Sequence, residues 1–336
     1  MEKNSIKSLG ILYSRYCPAK CRHCGTEAGP QRKGKLEFEI IEKILTRLKK
    51  YSVTDLGISG GEPLSFYTDI LNIATIAKKN GISLTIFSNA FWAKNEEITE
   101  HYLSNLKERG LKMLQLSTDQ FHQEFIDKKN IVMAANVAER LEISCSIILP
   151  SPASGWSTIQ TLSYLEMECN APLVTHPIHP IGRALELDDS YFQWRELTLE
   201  GCELVGRIEV DSTALVAQCP PASDFSESNP LILGDLHNDS IEDMMDKYQH
   251  TLLYWVLGNY GPLGLYYLFL ESGVEVTAPI IGKVSNCQLC QQLTSHPQYF
   301  KDFTTFEKID LQSGHSMSLE NQQRCSEIIE KSQKRN

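Results

Sequence analysis

Three cysteines on one short loop, Cys17-Pro18-Ala19-Lys20-Cys21-Arg22-His23-Cys24, constrain this chain more than any other feature of its 336 residues. Gaps of three and then two residues let three thiolates converge on one face, and they leave no fourth sulfur nearby to close a tetrahedral zinc site. Soft thiolates select zinc, copper(I) or iron-sulfur clusters. A cubane held by three cysteines keeps one iron open to a further ligand. Pro18 stiffens the loop and Gly25 ends it, so the ligands sit on a connection rather than inside a helix. Buried free cysteines are the plainer alternative, and the spacing argues against them.

Composition removes several function classes. A hydrophobic fraction of 42% supports a sizeable core in one large or two medium domains. A net charge of -10 and a pI near 5.5 argue against nucleic acid as principal partner, because phosphate binding wants a broad basic surface. Lys20, Arg22, Arg32, Lys33 and Lys35 make the cysteine end locally basic, which suits either an anionic ligand or a solvated loop. Ten cysteines and no apolar signal segment at the start point to a reducing cytoplasm. No membrane span is expected. The stretch from Leu252 to Leu270 is broken by Gly258, Asn259, Gly261, Pro262 and Gly264, while a span needs roughly 20 continuous apolar residues. It reads as two core or lid helices.

Short β-rich runs alternate with helix-length segments through the first half, the mark of a parallel sheet with crossover helices. Strands are expected at Ser8 to Tyr13, Asp55 to Ser59, Ile82 to Ser88, Lys112 to Ser117, Ile143 to Leu149 and Leu173 to His176. Helices are expected over Phe38 to Tyr51 and Glu96 to Arg109, in a segment ending near Leu141, and from near Ser157 to before Asn170. The tail from Ser326 to Asn336 reads as a frayed helix. In parallel α/β sheets the working loops lie at the C-terminal ends of strands, and the motifs fall there.

Gly60-Gly61-Glu62-Pro63 follows the second strand; its glycines let a ligand approach the backbone, and its carboxylate suits a cationic amine. Ser88-Asn89-Ala90-Phe91-Trp92 ends the third strand and Ser117-Thr118-Asp119-Gln120-Phe121-His122 the fourth, offering hydroxyl, amide and carboxylate groups of the kind a ribose needs. Phe91, Trp92 and Phe121 read as packing residues, and His122 as a structural histidine or a substrate-facing acid or base. Gly182-Arg183-Ala184 follows the sixth strand, where a guanidinium grips a carboxylate or faces solvent. The second half adds Cys202, Cys219, Cys287 and Cys290, enough for a second closed site of zinc or iron and sulfur. Cys145, Cys169 and Cys325 read as structural thiols.

The cysteine loop resembles the signature of the radical S-adenosylmethionine superfamily, with His23 at its aromatic position. The resemblance implies a 4Fe-4S cluster on Cys17, Cys21 and Cys24 whose open iron binds S-adenosyl-L-methionine, cleaved to a 5'-deoxyadenosyl radical that abstracts hydrogen. It further implies cofactor contacts from His23, Gly60, Gly61, Glu62, Pro63, Ser88, Asn89, Ser117 and Asp119, with Glu62 and nearby backbone carbonyls on the methionyl amine. It implies an α/β fold, a partial (β/α)6 TIM barrel over residues 1–190, and a C-terminal domain over residues 191–336 that carries an auxiliary iron-sulfur cluster on Cys202, Cys219, Cys287 and Cys290 and closes over substrate. An electron donor such as flavodoxin or ferredoxin follows from the same likeness.

Phe91-Trp92, the Ser117 to His122 stretch, Gly182-Arg183-Ala184, Cys219-Pro220-Pro221-Ala222 and the late cysteine pair together are similar to the epipeptide-type peptide epimerases and related maturases. That likeness implies a ribosomally synthesised precursor peptide as substrate and L-to-D epimerisation at Cα, with Cys219 as the catalytic hydrogen donor. The family pattern has two adjacent cysteines where this chain has Gln218-Cys219. Cys219 therefore serves either as donor or as cluster ligand, and the second case favours oxidative crosslinking of side chains. Dehydrogenation of a small molecule by the same radical is a further alternative.

Overall fold

The computed structural model describes residues 4–152, 156–193, 196–219, 229–277 and 285–334. The chain divides into two compact units, one of Ser8–Gln193 with Val210–Ala214, the other of Met1–Lys7, Trp194–Glu209 and Leu215–Asn336.

The first unit is built on six parallel strands that pair in chain order: β1 (Ser8–Ser14), β2 (Asp55–Gly60), β3 (Ser83–Ser88), β4 (Leu111–Ser117), β5 (Ser144–Ser151) and β6 (Leu173–Pro177). Between them run α1 (Phe38–Leu48), α2 (Tyr67–Lys79), α3 (Glu96–Glu108), α4 (Lys128–Arg140) and α5 (Trp156–Glu168). This is a partial (β/α)6 barrel. Register aligns Ile11, Ile58, Ile86 and Leu114 across four strands as a fully buried row. Each such side chain contributes about 1.5–3 kcal/mol through burial, so a one-residue slip of any strand would turn its share of the row to the other face. Asn95 starts α3 by accepting the Ile98 N–H, and Asp127 starts α4 by accepting that of Lys129. α1 was expected to run to Tyr51. It tightens instead into a 3-10 turn over Lys49–Tyr51, which Ser52 ends in the left-handed region at φ 59°. α2 is absent from the sequence expectations.

The second unit holds β7 (Arg207–Val210, of which residues 207–209 belong here), β8 (Leu215–Ala217) and β9 (Ile232–Asp235), the last two antiparallel. Helices α6 (Ile241–His250), α7 (Leu252–Glu271), α8 (Asn286–Thr294), α9 (Pro297–Glu307) and α10 (Leu319–Gln333) follow. α7 is two helical pieces joined at Gly261, which leaves the helical region at φ 64°, with Pro262 opening the second piece. No helix among the described residues is long and apolar enough to cross a membrane.

Two boundaries differ from the sequence reading. The tail from Ser326 is not frayed up to Gln333, because Ile329 and Ser332 are buried and Tyr260 donates to Ser326. The first residues, expected with the barrel, group with the second unit: the Asn4 carboxamide donates to the carbonyls of Tyr248 (2.9 Å) and Thr251 (3.0 Å), and the Lys7 N–H to that of Gly206.

Candidate metal centres

β1 delivers the cysteine loop at its C-terminal end, where Cys17 N–H donates to Gly29 and Cys24 N–H to Cys21. Cys17 and Cys21 are buried and Cys24 is half-buried. Two of the sulfurs have a polar partner. The Asn89 amide donates to Cys17 Sγ (3.4 Å), and the Thr26 hydroxyl lies 3.4 Å from Cys24 Sγ. Burial pushes the Cys17 thiol up to about 12, with Glu62 and Cys24 adding to the rise and the Asn89 hydrogen bond opposing it. Burial likewise drives Cys21 well above its ordinary value, reinforced by Asp119, Cys24 and Cys17 and opposed by Arg183. Cys17 and Cys21, both raised in this way, hold their protons when alone and release them to a cation. The donor set therefore fits a thiolate-bound metal centre.

Arg183 does not await a carboxylate. Its Nε and Nη2 donate to the Cys21 carbonyl (3.0 and 2.9 Å), Nη2 also to Ala28 (2.7 Å), and its own N–H to Cys24. Gly182 sits at φ 55°, and a Cβ there would run into the carbonyls of Gly25 and Cys24. The Gly182-Arg183 turn thus lies flat on the cysteine loop and braces it.

Glu62 also differs from expectation. It is 1% exposed, its Oε1 accepts from Ser88 Oγ (2.9 Å) and the Leu64 N–H (3.0 Å), and its Oε2 accepts from the Asn89 N–H (2.8 Å). Burial lifts it to about 7 against the pull of those three donors. The carboxylate expected on a ligand amine here ties the tips of β2 and β3 together. Gly61 is pressed onto the segment that follows β1, where a Cβ would strike the Tyr16 carbonyl. Pro63 is buried at the start of the short turn that follows. Ser88 Oγ in turn accepts from Trp92 Nε1 (2.9 Å), so Trp92 is a packing residue, as is the fully buried Phe121.

Asp119, expected on a ribose, is 3% exposed and held inside the protein. Its Oδ1 accepts from the N–H groups of Phe121 (2.7 Å) and His122 (2.9 Å). His23 Nε2 lies 2.9 Å from Oδ2, and His122 Nδ1 3.0 Å from Oδ1. Burial would raise this carboxyl, but His122 and His23 outweigh it and hold it far below the usual range. His23 stacks on Phe121 (5.0 Å), so the pair with Asp119 pins the cysteine loop to the tip of β4. Ser117 ends β4 half-buried. Three of the five members of the local basic run are paired: Arg22 with Glu124 (2.8 Å), Arg32 with Glu27 (3.0 Å), Lys35 with Asp69 (2.5 Å).

In the second unit four distant cysteines come together. Cys202 is fixed by its N–H on the Leu257 carbonyl (2.8 Å), Cys219 follows β8, and Cys287 and Cys290 lie three apart on α8 and so share a face. Burial, then the proximity of Cys219, Cys202 and Cys287, pushes the Cys290 thiol well above its ordinary value. Cys287 rises to about 11 by burial and the nearness of Cys202. Cys290 thus has the other three thiols as electrostatic neighbours. Gln218, at the position where a second cysteine was sought, is buried with its amide on the Leu204 carbonyl (2.8 Å).

Sequence reasoning passed over Thr26, whose hydroxyl lies between Cys24 Sγ and the Gly60 carbonyl (3.3 Å). A hydroxyl residue two places after the last cysteine of the loop was the available signal.

Residues 11–143 match the sequence model of the Radical SAM superfamily. A Methanococcus maripaludis protein described as "Probable GTP 3',8-cyclase" is 26% identical over 190 residues, which are 54% of this chain and 58% of that protein. A second strain's protein of the same description is 29% identical over 134 residues, 39% of this chain and 42% of its own. The chain thus spans less than two thirds of the length of these relatives. Among solved structures, Streptococcus suis SuiB bound to precursor peptide SuiA is 17% identical, covers 85% of this chain and 76% of its own, and has a TM-score of 0.49. AdoMet-bound anSMEcpe is 12% identical with coverages of 91% and 97% and the same TM-score of 0.49.

Proposed function

We propose that this radical SAM enzyme oxidatively modifies a ribosomally synthesised peptide, with Cys202, Cys219, Cys287 and Cys290 as ligands of an auxiliary 4Fe-4S cluster. The observation that carries the reading is the convergence of those four thiols in one unit, where Cys290 senses the other three. Epimerisation needs Cys219 free to return hydrogen to Cα. As a member of the four-thiol set Cys219 would be occupied as a ligand, and a cluster held there would supply the one-electron acceptor that closing a new bond from a substrate radical requires.

Cys17, Cys21 and Cys24 hold the first cluster, which with S-adenosylmethionine supplies a 5'-deoxyadenosyl radical for hydrogen abstraction. Around it the chain's own groups do defined work. Asn89 donates to Cys17 Sγ, the Thr26 hydroxyl lies beside Cys24 Sγ, Arg183 and the His23–Asp119 pair keep the loop in place, and the Gly60-Gly61 backbone offers carbonyls to the methionyl amine. Ser88 and Ser117 stand at neighbouring strand tips. A flavodoxin or ferredoxin fits as the reductant.

Cyclisation of GTP, the activity in the curated relatives' description, is the second reading, favoured by 26% identity over 190 residues. A triphosphate calls for unpaired cations, and with Arg22, Arg32 and Lys35 each matched with a carboxylate, Lys20 and Lys33 are the members of the basic run left for it.

Anaerobically reconstituted protein is expected to carry about eight irons, two cubanes' worth. With S-adenosylmethionine, reductant and a candidate precursor peptide it should release 5'-deoxyadenosine and a product lighter by two hydrogens. An unchanged mass with deuterium gained from heavy water would restore epimerisation, and consumption of GTP would establish the second reading.

A further inference from the structure

The Thr26 hydroxyl has one proton and two acceptors, Gly60 O at 3.3 Å and Cys24 Sγ at 3.4 Å. Those acceptors belong to different parts of the proposed centre. Cys24 is a ligand of the first cluster, and the Gly60 carbonyl is one of the backbone groups assigned to the methionyl amine. Thr26 is thus the residue at which the two sites share a single hydrogen.

We infer that Thr26 couples occupancy of the amine site to the reduction potential of the cluster. The inference rests on the reading above and adds to it a positioning residue. With no ligand amine present, the hydroxyl donates to Gly60 O, the harder and stronger acceptor. When an ammonium donates to that carbonyl, its charge repels the hydroxyl hydrogen and turns it toward Cys24 Sγ. A hydrogen bond to a cluster sulfur favours the reduced, more negative state and raises the potential. Binding of the cofactor would thereby make the cluster easier to reduce at the moment when the electron is useful. Asn89 is the internal contrast: its amide donates to Cys17 Sγ while its Oδ1 accepts from the Phe91 N–H (3.0 Å), so it has no second acceptor to choose and acts as a constant donor.

The test is a redox titration of the reconstituted cluster, followed by electron paramagnetic resonance, with and without S-adenosylmethionine. Thr26→Val is expected to leave the cofactor-free potential where it is and to lower the cofactor-bound one, while Thr26→Ser behaves as wild type. Asn89→Ala should lower both potentials by a similar amount. Methionine alone, which carries the ammonium, should reproduce the Thr26 effect. Equal lowering of both potentials in Thr26→Val, or no change in either, would overturn the coupling. Thr26→Ala, measured alongside, keeps the comparison decisive if the valine variant fails to hold iron. Wild-type protein that takes up a cluster but shows no cofactor-dependent potential refutes the coupling alone; wild-type protein that takes up no cluster sinks the functional reading beneath it.

Discussion

Cys17, Cys21 and Cys24 lie on a single loop, whereas Cys202, Cys219, Cys287 and Cys290 are brought together from three segments of the second unit. The loop is braced before any metal arrives: Arg183 holds its carbonyls, His23 is tied to Asp119, and Asn89 meets Cys17. The four-thiol set has Cys202 anchored by Leu257 and Cys290 raised by burial and by its three neighbours, so Cys290 holds its proton until a cation is bound. A site whose ligands are local can be preorganised by its surroundings. One assembled over long range draws more of its order from the metal itself.

The sharpest way to break this contrast is to remove one ligand from each set. Cys21→Ser is expected to take 5'-deoxyadenosine formation to background. Cys290→Ser should keep that cleavage, lose about half of the iron and stop product formation, as read by iron analysis and chromatography of both products. Loss of cofactor cleavage in both variants would mean that the two sets do not act separately.

Bracing of the first set predicts the next effect. Arg183→Ala removes a charged donor from the carbonyls of Cys21 and Ala28, at a cost of about 2–4 kcal/mol. Denaturant unfolding of the iron-free protein measures it, and a change within error would show that the loop is not held by this residue.

The smallest effect contrasts two buried carboxyls. Asp119 is driven down by His122 and His23 despite its burial, and its stabilisation is present above the ordinary carboxylate range and lost on acidification. Glu209 goes the other way. Burial, opposed by Arg207, lifts it from 4.5 to about 8, so the folded chain carries an extra proton across that window and stability falls as pH rises through it. Glu209→Gln should therefore gain on wild type by about 1–3 kcal/mol between pH 5 and 8.5, seen in urea midpoints. Parallel pH profiles for the two proteins would rule the shift out.

Much of the barrel was legible because its strands repeat a pattern with an obvious physical cause. Apolar residues such as Leu56 and Ile58 alternate, and Asn95 and Asp127 mark helix starts. The roles of individual polar residues were less legible. Glu62 and Asp119 are charged groups at strand tips expected to meet a ligand, and Arg183 was expected to grip a carboxylate or face solvent. All three are engaged within the protein, with Ser88 and Asn89, with His23 and His122, and with the carbonyls of Cys21 and Ala28. A sequence shows that a charge stands at a strand end but not which neighbour satisfies it, since those partners lie up to 162 residues away.

What the amino-acid order determined by itself is the spacing of Cys17, Cys21 and Cys24, the alternation of strand and helix, and the glycines that let backbones meet, because these depend on covalent separation and local conformation. What only the tertiary structure decided is the gathering of Cys202, Cys219, Cys287 and Cys290, the turning of Glu62, Asp119 and Arg183 inward, and the place of Thr26 between Gly60 and Cys24. Those outcomes depend on which distant groups packing brings within a few ångströms, where hydrogen bonds and charges in a poorly solvated interior become strong enough to select one arrangement.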